Sequence, residues 1–266
     1  MYQPTDNEIF HVHTKRCKHA SEDEDYRYVE AAINLQADRI VFTDHAPFPG
    51  NPFRNRMEME ELVGYVESMK ALRREYAGKI EVKFGLEIEY LPSFRAYYRE
   101  LYDSNEFDLL MLSQHFFENA DGSYSFQNAD KSEEFKGLSA ATVQGIETGL
   151  FDVVAHPDRI FRRCKCWNAD MALAGNEIIR AATEYGMLLE RNHTSRQRKN
   201  QFWPEFWARV KIKQALEGYD AHSVEEMNKI RLRTSPMLTL EEIESLFADI
   251  QAEKNPMSGE VKEKKV

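Results

Sequence analysis

Arg39-Ile-Val-Phe-Thr-Asp-His45 is a short run of β-branched and aromatic residues that stops on an Asp-His pair, the pattern of a buried strand with a polar end. The same pattern recurs on both sides. Ile9-Phe10 leads to His11, Ile80-Glu-Val-Lys-Phe-Gly-Leu86 to Glu87, and Phe107-Asp-Leu-Leu-Met-Leu-Ser-Gln114 to His115. Phe151-Asp-Val-Val-Ala155 leads to His156, and Gly186-Met-Leu-Leu189 to Glu190. Between these runs, Asp23–Leu35, Glu58–Tyr76, Ser93–Leu101, Ser139–Thr148 and Asp170–Tyr185 space their apolar residues three and four apart, which predicts amphipathic helices.

Strands alternating with helices imply a parallel α/β sheet. An open, doubly wound sheet gathers its polar groups at one switch point, whereas here nearly every strand ends in one. That distribution suits a closed TIM-like barrel whose strand ends converge. A seventh strand is expected at Ala208-Arg-Val-Lys-Ile-Lys213, and a last helix at Thr239–Phe247. The chain is then one domain over 1–251, followed by a charged tail, 252–266, that is expected to fray.

Composition narrows the function classes. At 266 residues, 42% hydrophobic and 30% charged, the chain has the make-up of a globular protein. A net charge of -10 does not fit a surface-wide nucleic-acid footprint, although it leaves room for a local basic pocket. No apolar stretch approaches the roughly 20 residues of a membrane span, and the polar start Met1–Glu8 does not look like a signal peptide, so a cytoplasmic location is expected. Cys17, Cys164 and Cys166 are odd in number and lack CxxC spacing, and are read as free thiols. GxSxG, P-loop and GxGxxG motifs are absent from the sequence, leaving serine-nucleophile, nucleoside-triphosphatase and dinucleotide readings unsupported.

What stands out instead is histidine. Seven of the eight histidines fall at strand ends or in the loops just after them. His11-Val-His13 places two imidazoles at i and i+2, on one face of a strand, and His19 follows in the next loop. Asp44 beside His45 can be a ligand, can orient a ligand, or can cap the strand. Glu87 and Glu89 share a face, and one carboxylate can bridge two cations; the blander reading leaves Glu89 solvated just past the strand. His115 and His156, taken singly, are ordinary core histidines, and Asp220-Ala-His222 repeats the i, i+2 geometry. Met57, Met59, Met69 and Met111 read as core filler, and the pairs and clusters Phe116-Phe117 and Trp203, Phe206, Trp207 as packing or a pocket wall. Basic residues gather after two strand ends: Arg159, Arg162, Arg163 and Lys165 after His156, and Arg191, Arg196, Arg198 and Lys199 after Glu190. Arginines so placed suit phosphate binding beside a metal centre, and Arg159, Arg162, Arg163 and Arg196 are the candidates.

The ordered set His11-x-His13, His19, Asp44-His45, Glu87, His115, His156 and Asp220-x-His222 resembles the PHP (polymerase and histidinol phosphatase) superfamily over about residues 9–225. Within it, Thr43-Asp-His-Ala-Pro47, Gly85-Leu-Glu-Ile-Glu-Tyr90, Ala155-His-Pro-Asp158 and Tyr219-Asp-Ala-His222 look most like the monofunctional histidinol-phosphate phosphatases. The resemblance implies a distorted (β/α)7 barrel holding about three divalent ions (zinc, manganese or iron). It implies His11, His13, His19, His45, Glu87, His115, His156, Asp220 and His222 as ligand positions, with Glu87 bridging. Asp44 is left as the residue that orients a ligand, and Asp220, His222 and Glu87 carry the chemistry. The chain departs from the family pattern at Glu190-Arg-Asn192, where the middle residue is usually aliphatic, and at Leu112-Ser-Gln-His115, where a Gly-Ser-Val-His type of strand end is usual. The implied reaction is hydrolysis of a small phosphomonoester, with neither nucleic acid nor membrane as partner. Rival readings are a phosphoesterase for another small metabolite and a metal-binding barrel without catalysis.

Overall fold

A computed structural model describes residues 2–230 and 232; the expected helix Thr239–Phe247 and the tail 252–266 lie outside the described residues. Seven parallel strands follow chain order in one sheet. They are β1 (Glu8–Val12), β2 (Arg39–His45), β3 (Glu81–Ile88), β4 (Leu109–Leu112), β5 (Val153–Val154), β6 (Leu188–Asn192) and β7 (Ala215–Gly218). The sheet closes on itself just beyond β7. Tyr219 N donates to Phe10 O at 3.0 Å, Ala221 N to His11 O at 3.1 Å, and His13 N to Ala221 O at 2.8 Å. The expected distorted (β/α)7 barrel is the fold observed.

The strand alternation divides the core in two. Phe10, Val41, Leu109, Met111, Val153 and Leu216 fill the barrel, with Tyr2 as its floor. The floor is sealed by charge: Tyr2 Oη donates to Glu8 Oε2 at 2.6 Å, and Arg39 donates to Glu8 at 2.9 Å and Glu81 at 2.7 Å. The outward face (Ile9, Ile40, Phe42, Val82, Phe84) packs against the helix layer. In α2 (Leu62–Glu75), Tyr65, Met69 and Leu72 recur at helical spacing and are buried, and Tyr65 Oη reaches Gly85 O at 2.9 Å.

Helices α1 (Asp25–Asn34), α3 (Arg95–Asp103) and α5 (Ala169–Glu184) lie within a few residues of expectation. Helix α4 (Glu134–Glu147) starts five residues before the expected Ser139. Gly137 hides that first turn from a propensity reading, yet the glycine is what admits Phe117, whose ring would lie 2.2 Å from a Cβ there. The larger correction concerns β7, expected at Ala208–Lys213. That stretch is mostly exposed, Ile212 included at 52%, and the strand is Ala215-Leu-Glu-Gly218. Only Leu216 and Gly218 face inward, so no hydrophobic run announces it.

Electrostatics hold β7 instead. Glu217 lies opposite Arg191 in the β6–β7 register, pairs with it through Nε at 2.7 Å, and accepts from His193 Nε2 at 2.7 Å. Burial raises the Glu217 pKa, but His193, Arg191 and Arg196 outweigh it and bring it from 4.5 to about 2. A carboxyl with a depressed folded-state pKa contributes stability that is complete above its unfolded value and is lost as pH falls toward the folded one. Glu217→Gln is therefore expected to destabilise the protein by about 1–2 kcal/mol near neutrality. The gap from wild type should shrink in urea titrations stepped down from pH 5; a gap that stays constant would exclude this role.

Candidate metal centre

Each strand delivers a polar residue to the C-terminal mouth, and these residues meet around one carboxylate. Glu87, at the end of β3, is 1% exposed. Its Oε2 lies 3.4 Å from His11 Nε2, 3.2 Å from His13 Nε2 and 3.1 Å from His45 Nδ1. Its Oε1 lies 3.1 Å from His156 Nε2 and 3.9 Å from His115 Nε2. From beyond β7, Asp220 Oδ1 lies 3.4 Å from His11 Nε2 and 3.2 Å from His13 Nε2. His222 Nε2 and His19 Nε2 are 3.0 Å apart, which attaches the loop after β1 to the same mouth.

The backbone departs from ordinary geometry to achieve this. His11 sits in a bulge of β1, where the register with β2 shifts, and has φ 71°. His156 has φ 28° and Asp220 φ 52°. Positive φ at residues other than glycine costs about 1–3 kcal/mol each and persists where surrounding contacts over-determine it. Three such residues at the ends of three strands, all pointing into one cluster, mark the mouth as the working end of the barrel.

A surrounding layer orients the cluster. Glu190 Oε1 lies 2.6 Å from His11 Nδ1, and its Oε2 accepts from His156 N at 2.8 Å. Gly218 makes room for it, since a Cβ there would lie 1.9 Å from Glu190 Oε1. Cys17 Sγ is 3.0 Å from His13 Nδ1 and donates to Asp44 Oδ1 at 2.9 Å. Asp44 also accepts from Thr14 N and Thr14 Oγ1, both at 2.7 Å, so it reaches His13 through the thiol. Glu89 is 1% exposed rather than solvated; it pairs with Arg56 and lies 3.0 Å from His115 Nδ1.

Of the four candidate arginines, Arg159 reaches the cluster. It is 9% exposed and donates to Asp220 Oδ2 at 2.8 Å, to Asn192 Oδ1 at 3.2 Å and to Ser195 Oγ at 2.9 Å. Arg162 donates to the His115 carbonyl at 3.1 Å and lies at the edge. Arg163 pairs with Glu134 at 2.7 Å and points away, half exposed. Arg196 lies 3.8 Å from Glu217 and over the Phe202 ring. Sequence reading named Glu190 as a strand end without giving it a part in the site, and it missed Arg56, Asn192 and Ser195 there. Glu190 and Asn192 could have been found from their i, i+2 spacing at the end of β6. Arg56 lies in a loop and carries no such signal.

Burial works against charge here, yet the carboxylates remain ionised. His45 and His11 hold Glu87 well below the usual carboxylate range, and Arg159 and His11 do the same for Asp220. Burial together with neighbouring cations pushes His156 down to about 4 and His222 down to about 3, so both present unprotonated nitrogens. Glu87 Oε2 and His45 Nδ1 are buried without a hydrogen-bond partner, although nitrogens stand 3.1–3.4 Å from that oxygen. His11 Nε2 and His13 Nε2 face one another at 2.9 Å. Carboxylate oxygens and imidazole nitrogens gathered this closely, with Glu87 Oε2 and His45 Nδ1 left unpaired, fit divalent cations. Overlapping triads of such atoms, including His11-Glu87-His156, His45-Glu87-His115, His11-His13-Asp220 and His13-His45-His222, offer room for more than one. Beside the cluster opens a cavity of about 550 Å³, walled by Phe53, Phe116 and Phe126 and bordered by His19, His45, Arg56, Glu89 and His115.

Known proteins share this fold. A histidinol phosphate phosphatase from Lactococcus lactis, solved in complex with zinc, L-histidinol and phosphate, superimposes with a TM-score of 0.67 over 92% of this chain and 93% of that one, at 20% identity. At that identity the likeness establishes the fold. The histidinol-phosphatase of Bacillus subtilis is 32% identical over 139 residues, 49% of this chain and 51% of that protein. A protein of Deinococcus radiodurans named probable histidinol-phosphatase is 28% identical over 156 residues, 56% of this chain and 59% of that protein. The chain thus spans between half and three fifths of the length of these curated relatives. The sequence model described as PHP domain matches residues 10–194, the stretch that runs from β1 through β6 and carries most of the cluster, and the chain belongs to the PHP domain family.

Proposed function

We propose that this protein is a metal-dependent phosphomonoesterase that hydrolyses L-histidinol phosphate to L-histidinol and phosphate, a cytoplasmic step of histidine biosynthesis. The observation that carries the reading is the Glu87 carboxylate among five imidazoles, with Arg159 on one side and an aromatic cavity on the other. The names of the curated relatives, and the ligands of the Lactococcus lactis protein, support the choice of substrate.

His11, His13, His19, His45, Glu87, His115, His156, Asp220 and His222 would hold up to three ions, zinc, manganese or iron, with Glu87 shared between two. Bound there, divalent ions would supply Lewis acidity toward the phosphoryl oxygens and charge neutralisation as the P–O bond breaks. The chain does the rest. Arg159, fixed by Asn192, Ser195 and Asp220, presents a preorganised guanidinium for a phosphoryl oxygen. Asp220, kept ionised by Arg159, or an adjacent histidine, whichever a bound metal leaves free, would take the proton of the attacking water and supply one to the departing alkoxide, so that the water oxygen ends on phosphorus and a proton on L-histidinol. His222 Nδ1 donates to the Asp220 backbone carbonyl at 3.0 Å, which fixes its imidazole beside that carboxylate. The aromatic cavity receives the alcohol portion. Arg162, Arg163 and Arg196 are weaker candidates for the phosphate, lying at or beyond the rim.

Purified protein is expected to release phosphate from L-histidinol phosphate faster than from a panel of other phosphomonoesters, to lose activity on chelation and to regain it with divalent metal. A better substrate within the panel would favour a phosphoesterase for another metabolite, and full activity in demonstrably metal-free protein would defeat the reading. Arg159→Ala should lower kcat/KM about a hundredfold, the loss of roughly 2–3 kcal/mol of charge-assisted contact, with KM rising; an unchanged kcat/KM would place phosphate recognition elsewhere. Gly218→Ala, by displacing Glu190 from His11, should weaken metal retention by about 10–100-fold in dialysis against a competing chelator, read by elemental analysis.

A further inference from the structure

Arg56 lies in the loop between β2 and α2 and is 6% exposed. It donates to both oxygens of Glu89, at 3.0 and 3.2 Å, and to Ala46 O at 3.2 Å. Its guanidinium carbon lies 5.3 Å from the ring centre of Phe48, 5.6 Å from that of Phe53 and 5.9 Å from that of Phe116. Glu89 Oε1, which accepts from Arg56, is also 3.0 Å from His115 Nδ1. One planar cation therefore ties together three things that border the cavity: two rings of its wall, the carboxylate at its base, and the histidine on its metal-facing side.

Only a guanidinium can do this. Its fork matches both carboxylate oxygens in one plane while its faces remain free for aromatic contact; an ammonium is a point charge on a flexible stem and can satisfy one requirement at a time. The pair is buried, so its geometry is set by the fold and not by solvent. Arg56 makes no contact with Glu87 or Asp220, the carboxylates of the metal cluster, among its described hydrogen bonds and ion pairs, so its influence falls on the cavity.

We propose that Arg56 is a specificity-determining positioning residue, which sets the aromatic wall formed by Phe53 and Phe116 and the orientation of His115, and thereby selects a phosphomonoester whose alcohol carries a flat, ring-bearing group. The inference rests on the phosphatase reading given above and deepens it.

The test uses Arg56→Lys, which keeps the charge and loses the planar fork, and Phe53→Leu, which removes a wall ring and leaves the ion pair intact. Each variant is checked for metal content and for the melting temperature of its apo form. It is then titrated by calorimetry, metal-loaded, with L-histidinol and separately with inorganic phosphate. Arg56→Lys should weaken L-histidinol about tenfold while phosphate affinity moves less than threefold, and in turnover of L-histidinol phosphate KM should rise by a larger factor than kcat falls. If Arg56→Lys does not fold, Phe53→Leu decides by the same pair of titrations. Equal weakening of both ligands, or unchanged L-histidinol affinity, overturns the proposal. Absence of turnover by the wild-type protein would instead overturn the phosphatase reading, while the calorimetric titrations still judge Arg56.

Discussion

A carboxylate buried to 1% exposure at the mouth of a barrel is the constraint from which the rest of this site follows. Glu87 cannot keep its charge in that position without opposite charge or donors nearby. The fold brings five imidazoles around it, from the ends of four strands and the loops following them, His11 and His13 both from β1. Imidazoles packed that closely need fixed orientations, and their outer nitrogens are accordingly engaged by Glu190, Cys17 and Glu89. Each of these is itself buried and anchored, so the demand spreads outward layer by layer into the barrel.

The outward spread accounts for features that look unrelated in the chain. Gly218 belongs to β7 because Glu190 occupies the space its side chain would need. Asp44 ends β2 not to touch the cluster but to grip Thr14 and Cys17, and through them to aim His13. Arg159 stands against Asp220, and Arg56 against Glu89, so these two carboxylates each have a guanidinium while Glu87 is left to the histidines. The division separates two surroundings. Arg159 shares residues with the cluster, whereas Arg56 shares them with the aromatic cavity.

Three residues of the cluster hold strained backbone. The positive φ angles of His11, His156 and Asp220 fall where strands would otherwise continue straight past the mouth. The hydrogen bonds that close the barrel, between the segment after β7 and the segment around His11, are made across two of these bends. Barrel closure and site assembly are thus one event: joining the last strand to the first is what carries Asp220 to His11 and His13.

The recurring apolar runs with polar ends determined a barrel and located its mouth, because strand period and burial are local properties that a sequence carries directly. The histidines at those ends, with Glu87 and Asp220, were legible for the same reason. Strand β7 was not, since Ala215-Leu-Glu-Gly218 is held by the Arg191–Glu217 pair and by closure onto β1, neither of which shows as a hydrophobic pattern. The start of α4 was hidden by a glycine whose purpose is to receive Phe117 from another loop. Four arginines were equivalent on paper as phosphate contacts; only the packed fold turned Arg159 inward and sent Arg163 out to Glu134. Arg56 and the burial of Glu89 were decided entirely by tertiary structure, because the partner of a buried charge is whatever distant residue the fold brings beside it, and nothing in the spacing along the chain records that meeting.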